Sequence, residues 1–279
     1  MQNVAHRSAG TGADRLQNAT QRAQLVKFLL SIDAATEVIA PAAPAALRNI
    51  SAASGGAIVA PDSFVSALGL ALATQTLGAD SSVYPTVLAG STVSIRDSAG
   101  VLRLGALSFV SPGQINYVLP ASAAVGQATI TVVAANGATA SGTVQIAKVA
   151  PALFAIPPAG VAAATAIRVN ADNSQSPVAV FQCGATADSC VAAPIDVSAG
   201  AVYLTLYGTG IRNRSSLEAV RCTVGGVDEP VLFAGAQGAF PALDQVNAQI
   251  PVGLRGRGVV SIVVTVDGQS TNPVTINVQ

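Results

Sequence analysis

The heptapeptide Gln114-Ile115-Asn116-Tyr117-Val118-Leu119-Pro120 returns 131 residues later as Gln245-Val246-Asn247-Ala248-Gln249-Ile250-Pro251. The match continues past the proline. A glycine, Gly126 or Gly258, precedes an alternating strand, a turn at Asn136-Gly137 or Asp267-Gly268, and a second Thr/Val strand. A polar-apolar-polar triplet, a proline at fixed distance and a hairpin turn in register predict two related modules. A chain of 279 residues is long enough for two domains, each burying its own core.

From Asn49 onward the pattern is one of short alternating segments bounded by turn residues, such as Thr92-Val93-Ser94-Ile95-Arg96 closed by Asp97-Ser98-Ala99-Gly100. Period two, β-branched residues and hairpin turns predict antiparallel sheets with one face buried. Roughly seven strands per ~100 residues, occurring twice, predict an all-β chain of two tandem immunoglobulin-like sandwiches. The first is expected at 49–147 and the second at 148–279. The second carries an extra hairpin region, Gly160 to Ala193, before its repeat-matching part begins near Pro194. Residues 1–48 read as one short helix and a linker. Asp14 caps a helix over 14–33 with Leu16, Ala19, Ala23, Val26 and Leu30 on one stripe, and Ala40-Pro41-Ala42-Ala43-Pro44-Ala45-Ala46 is a stiff Pro/Ala connector.

Composition narrows the function classes. Charged residues are 10% of the chain and the formal net charge is zero, so a basic groove for nucleic acid is excluded as a reading. Aromatics are 4%, with no tryptophan, and much of the apolar share is alanine, which suits thin stacked sheets better than an aromatic-lined catalytic cleft. No stretch approaches the ~20 apolar residues that span a bilayer. Met1 to Arg22 is polar and lacks a signal-peptide core, so export information is expected outside these residues, on a longer precursor.

Several separated motifs occur in a fixed order: Ala60-Pro61-Asp62-Ser63-Phe64-Val65-Ser66, Ser111-Pro112-Gly113-Gln114-Ile115-Asn116, Ala150-Pro151-Ala152-Leu153-Phe154, Tyr207-Gly208-Thr209-Gly210-Ile211, Val224-Gly225-Gly226 and Asp244-Gln245-Val246-Asn247. Over residues 49–279 this series resembles the uncharacterised C-terminal domain family of Solibacter-type acidobacterial secreted proteins. The resemblance implies an extracellular IPT/TIG-like immunoglobulin sandwich at the end of a larger protein, and brings no established activity. Residues 14–33, around Leu25-Val26-Lys27-Phe28-Leu29-Leu30, resemble the last helix of a c-type cytochrome domain. The Cys-x-x-Cys-His attachment site is absent and His6 is the single histidine, so no haem or other cofactor is expected.

The candidate site residues are few. Gln114/Asn116 and Gln245/Asn247 project from one face of a strand at spacing two, and are expected to tie down the loop that precedes it. A ligand-binding role is the alternative. Cys183 and Cys190 flank a small polar turn and are expected to be bridged, which the loop-entropy relation values at about 2.5 kcal/mol for an eight-residue loop. Cys222 alternates with Val220 and Val224 and is expected to be a buried, inert thiol. No catalytic residue or metal-ligand set is expected, because the chain has a single histidine, acid/base pairs are missing and no calcium loop appears.

The leading expectation is therefore a non-enzymatic extracellular or cell-surface module of structural or adhesion type. Its partner would be an unidentified extracellular protein or polymer, or a second copy of itself. The alternative is a carbohydrate- or polymer-binding module attached to a secreted enzyme. For that reading the aromatic candidates are Tyr84, Tyr117, Tyr203 and Tyr207, with Tyr84 and Tyr207 foremost.

Overall fold

The computed structural model describes residues 45–157, 159–185 and 189–279, all within one compact unit, Pro44–Gln279. The helix read at 14–33 and linker residues 40–44 lie outside the described residues. What is described is β structure joined by turns, with a three-residue 3-10 turn at Val252–Leu254.

The first sandwich holds β1 (Ala45–Ala46), β2 (Arg48–Ser51), β3 (Ile58–Val59), β4 (Phe64–Leu68), β5 (Leu77–Gly78), β6 (Thr92–Arg96), β7 (Leu102–Leu104), β8 (Ala106–Val110), β9 (Gln114–Val118), β10 (Gly126–Val133) and β11 (Thr139–Ile146). One sheet runs β2-β4-β9-β8-β5, and the other runs β1-β11-β10-β6-β7 with β3 also on β11. The second sandwich holds β12 (Ala152–Leu153), β13 (Ala155–Ile156), β14 (Val161–Ala162), β15 (Ala164–Val169), β16 (Gln175–Val178), β17 (Phe181–Gln182), β18 (Val191–Ala192), β19 (Pro194–Ile195), β20 (Ala201–Thr209), β21 (Val220–Val224), β22 (Val227–Glu229), β23 (Val231–Ala236), β24 (Asp244–Gln249), β25 (Gly258–Val266), β26 (Gln269–Ser270) and β27 (Val274–Val278). Its sheets run β16-β15-β20-β24-β23 and β13-β14-β27-β25-β21-β22, with β19 on β27.

Four strands of each sheet match between the two sandwiches. The order β2-β4-β9-β8 returns as β15-β20-β24-β23, and β11-β10-β6-β7 returns as β27-β25-β21-β22. Even the two short parallel pairings on the last strand recur, β1 and β3 on β11 and β14 and β19 on β27. Alternation explains the layers. Along β10, Ala128, Ile130 and Val132 are buried while Thr129 and Val133 face out. The inward residues form two separate apolar clusters, one from Leu47 to Ile146 and one from Val149 to Val278. Each fully buried Ile, Leu or Val in them stabilises the fold by about 1.5–3 kcal/mol.

Three details depart from the sequence reading. Pairing begins at Ala45, inside the stretch read as linker, because Ala45–Ala46 run parallel to β11 and Leu47 turns into the core at 7% exposure. The region Gly160–Ala193 is not wholly an addition: β14 and β15 are the counterparts of β1 and β2, and the inserted part is β16 to β18. The two hairpin turns also differ. Asp267 and Gly268 both take positive φ, 48° and 80°, whereas at Asn136-Gly137 only Gly137 does, at 83°. The first is a primed two-residue turn, and the second ends in a left-handed glycine. The glycine opening each repeated strand is conformational, since Gly126 sits at φ 128° and Gly258 at φ 73°.

Cys183 and Cys190 are disulfide-bonded, with Cα atoms 3.9 Å apart, and the bridge closes the inserted β17–β18 hairpin. Cys222 is a free, buried thiol. Its inward phase on β21 follows the Val220/Val224 alternation, and burial pushes the thiol up to about 12. Thiol titration of denatured, unreduced protein is expected to find one free thiol per chain; a count of three would contradict the bridge.

Candidate functional site

On β9, Ile115 and Tyr117 enter the core while Gln114 and Asn116 stand half-buried on the outer face. Gln114 Nε2 donates to Asn116 Oδ1 at 2.8 Å, and Ser66 Oγ on the adjacent β4 donates to the same oxygen at 2.8 Å. On β24 the arrangement is looser: Gln245 Nε2 donates to Asn247 Oδ1 at 3.3 Å, and the residue opposite is Thr205. Residues two apart on a strand lie about 6.8 Å apart along it, a gap that a glutamine side chain closes onto its asparagine neighbour. The amides therefore brace their own strand, and among the described residues they make no side-chain bond to a loop backbone. Asn116→Ala is expected to cost about 1–2 kcal/mol, because Ser66, 6% exposed, loses its acceptor. Asn247→Ala is expected to stay within about 0.5 kcal/mol. Equal costs in urea denaturation would show that the two copies share one role.

The loop that follows β20 is held by Asp244, the first residue of β24, which the sequence reading named only as part of a motif. Its carboxylate is fully buried and accepts from the Ile211 N–H at 2.7 Å, the Arg212 N–H at 3.2 Å and Arg212 Nε at 2.6 Å. Burial raises the Asp244 carboxyl above its ordinary value, and Arg212 with the two backbone N–H groups draws it back. Gly210 makes this approach possible. It sits at φ 73°, and a Cβ there would lie 2.2 Å from the Ala150 carbonyl oxygen, in the connector between the sandwiches. The signal for Asp244 was present as a charged residue in the inward phase of an alternating strand.

Arg212 also reaches the first sandwich. Nη1 meets Asp62 Oδ2 at 2.7 Å, Nη2 donates to the Leu243 carbonyl at 2.8 Å, and the neighbouring Asn213 Nδ2 donates to the Pro61 carbonyl at 2.8 Å. Beside them the Phe64 N–H donates to Thr209 Oγ1 at 2.9 Å, and Thr209 donates onward to the Ala242 carbonyl at 2.8 Å. Phe64 stands edge-on to Phe154 with ring centroids 6.4 Å apart, and Tyr84 tilts against it at 6.1 Å. The first sandwich uses a comparable device within itself. Asp97 pairs with Arg103 and accepts from the N–H groups of Ala124, Ala99 and Val101, of which the Ala124 bond contributes most to holding its carboxyl below the ordinary value.

The four tyrosines separate cleanly. Tyr117 is wholly buried, its hydroxyl 3.4 Å from Asn49 Oδ1, and Tyr84 belongs to the seam with Phe64. Tyr203 and Tyr207 lie on the outer face of the second sandwich, paired across the sheet with Gln249 and Gln245. Phe233 on β23 pairs with Asn247, and its ring lies 3.4 Å from where a Gly235 Cβ would stand. That four-strand face, with β15 contributing Thr165 and Ile167, gathers aromatic rings and side-chain amides in one place.

Elsewhere the described surface offers little chemistry. No group of three His, Cys, Asp or Glu among the described residues is placed to hold a metal ion, and no described helix is long and apolar enough to cross a membrane. An open cleft of about 530 Å³ at the seam is lined by Ile58, Lys148, Pro151 and Asp267. Its one ion pair, Lys148 with Asp267, spans 3.9 Å, and Asp267 is engaged by Ser215 at 2.6 Å.

No protein-family model matches the chain, and no curated protein matches it. Among solved structures, SGBP-B from the Bacteroides ovatus mixed-linkage glucan utilization locus, in complex with a mixed-linkage heptasaccharide, aligns with 80% of this chain at 12% identity and a TM-score of 0.31. The chain spans 42% of that protein's length. A likeness at that TM-score carries no conclusion about ligand or activity.

Proposed function

We propose that the chain is a non-enzymatic extracellular module of structural, adhesion type, in which the two sandwiches act as one rigid body. The observation that carries this reading is the clamp at the seam, buried at Asp244 and partly exposed at Asp62. One guanidinium ties Asp244 of the second sandwich to Asp62 of the first, and Phe64 packs against Phe154 beside it. The buried Asp244 carboxylate holds the guanidinium in place, and the Asp62, Pro61 and Phe64 contacts made beside it across the seam favour a fixed orientation over a swinging connector. The connector agrees with this, since the Ala147 N–H donates to Val59 and the Ala150 N–H to Gly210, tying it to both sandwiches.

The non-catalytic part rests on how the perturbed groups are used. Asp244 and Asp97 are saturated by backbone donors and an arginine, and the Cys222 thiol is buried and raised. Each has a structural occupation, so none of the three is a free acid, base or nucleophile of the kind catalysis demands. The disulfide supports an oxidising, extracellular setting. It agrees with the resemblance to secreted Solibacter-type C-terminal domains.

Backbone nitrogen relaxation measured by NMR tests the rigid-body reading. Amides of β2 to β11 and of β12 to β27 are expected to report a single rotational correlation time, and Arg212→Ala is expected to split it. Two correlation times in the unmodified chain would refute the reading.

A further inference from the structure

We propose that the outer face of the sheet β16-β15-β20-β24-β23 binds the chain of a neutral polysaccharide. This deepens the reading of the chain as a non-catalytic extracellular module and rests on it. The repeat leaves its two outer faces unequal. In the first sandwich the equivalent face is occupied: Asn116 takes two donors, Ser66 is buried, and Phe64 is engaged by Tyr84 and Phe154. In the second sandwich Asn247 takes one donor, and Tyr203, Thr205 and Tyr207 stand half-buried.

Its chemistry is specific. Tyr203 and Tyr207 stand four residues apart on β20, about 13 Å along the strand, with Thr205 between them. Phe233 lies across β24 from Thr205 and keeps 39% exposure, and Ile167 on β15 keeps 40%. The space between the rings is filled by Gln245, Asn247 and Gln249. Among the described residues, Asn247 Nδ2, Gln245 Oε1 and the whole Gln249 amide have no hydrogen-bond partner, so paired donors and acceptors remain available beside each ring. A pyranose chain is complementary to this arrangement. Its C–H faces stack on aromatic rings, and its hydroxyls take one donor and one acceptor from a side-chain amide.

Charge selects among polymers. The residues of the face carry no ionised group. Arg214 stands at its rim, where Nη1 lies 3.5 Å from the Cβ position of Gly235. Asp267 and Glu218 balance it electrostatically, and its Nε is buried without a partner. A polyanion would meet one compensated cation and a row of neutral amides, whereas an uncharged chain meets a matching surface.

Affinity electrophoresis of the whole chain tests this, in gels containing hydroxyethyl cellulose, galactomannan or soluble starch, with alginate as the anionic comparison. Retardation by at least one neutral polymer, and none by alginate, is expected. Tyr207→Ala and Gln249→Ala are each expected to weaken it about tenfold with an unchanged thermal midpoint. Tyr84→Ala, at the seam, is expected to bind as the parent does. Lack of retardation by every neutral polymer, retardation by alginate alone, or full binding by both face variants would overturn the proposal. None of these outcomes bears on the relaxation measurement, so loss of the binding face leaves the rigid-body reading to its own test.

Discussion

Asp244→Ala is expected to destabilise the second sandwich by about 3–5 kcal/mol, the range for removing one partner of a buried, hydrogen-bonded charge pair. The substitution strands three donors at once. The Ile211 N–H is fully buried, Arg212 Nε is held against the missing carboxylate, and the Arg212 N–H loses its acceptor. Asp62→Ala removes the outer partner of the same guanidinium, but Asp62 is 33% exposed, so about 0–1 kcal/mol is expected there. The double variant Asp244→Ala/Arg212→Ala is expected to cost less than the sum of the singles, because the second change removes the stranded cation. Chemical denaturation of the four proteins gives the cycle. A loss below about 1 kcal/mol for Asp244→Ala would mean that water enters and replaces the carboxylate.

What could be read in advance followed the reach of each signal along the chain. Period-two alternation is local, and it placed Cys222 inward and the strands of both sandwiches on their correct faces. The Cys183–Cys190 bridge was equally local, since a short polar turn is enough to bring the two together. Asp244 and Arg212 stand 32 residues apart, and the contact exists only because β24 pairs with β20 and the loop after Gly210 folds back over it. Alternation indicates that Asp244 points inward, yet nothing adjacent names the arginine that meets it. The Gln-x-Asn elements failed for a related reason. Their shared face was legible, but their partners are set by the neighbouring strand, which offers Ser66 in one copy and Thr205 in the other. The same limit applied to the tyrosines. Tyr84 and Tyr207 look alike in sequence, and only the packing puts the first in a seam and the second on an open sheet.

Tyr117→Ala tests how far the repeat equates its two copies. The aligned residue in the second heptapeptide is Ala248, itself fully buried, so sequence comparison alone would treat the substitution as restoring the common pattern. The packing argues otherwise. Tyr117 is one of the largest wholly buried side chains, and its ring lies so close to Gly105 that a Cβ there would stand 2.9 Å from it. The first core has been built around the ring, with glycine making room on β8's approach, whereas the second core closes over an alanine with Leu204 and Leu206 nearby in the same cluster. Truncation should therefore leave a cavity and cost about 3–5 kcal/mol, as large aromatic-to-alanine changes in cores do. Tyr117→Phe keeps the ring and gives up only the 3.4 Å contact with Asn49, whose Nδ2 is already without a partner, so about 1 kcal/mol or less is expected. The two variants, compared by denaturation midpoint, separate volume from hydroxyl. A Tyr117→Ala chain as stable as Tyr117→Phe would mean that the first core collapses onto the smaller side chain as the second one does, and that the two sandwiches are interchangeable in packing as well as in strand order.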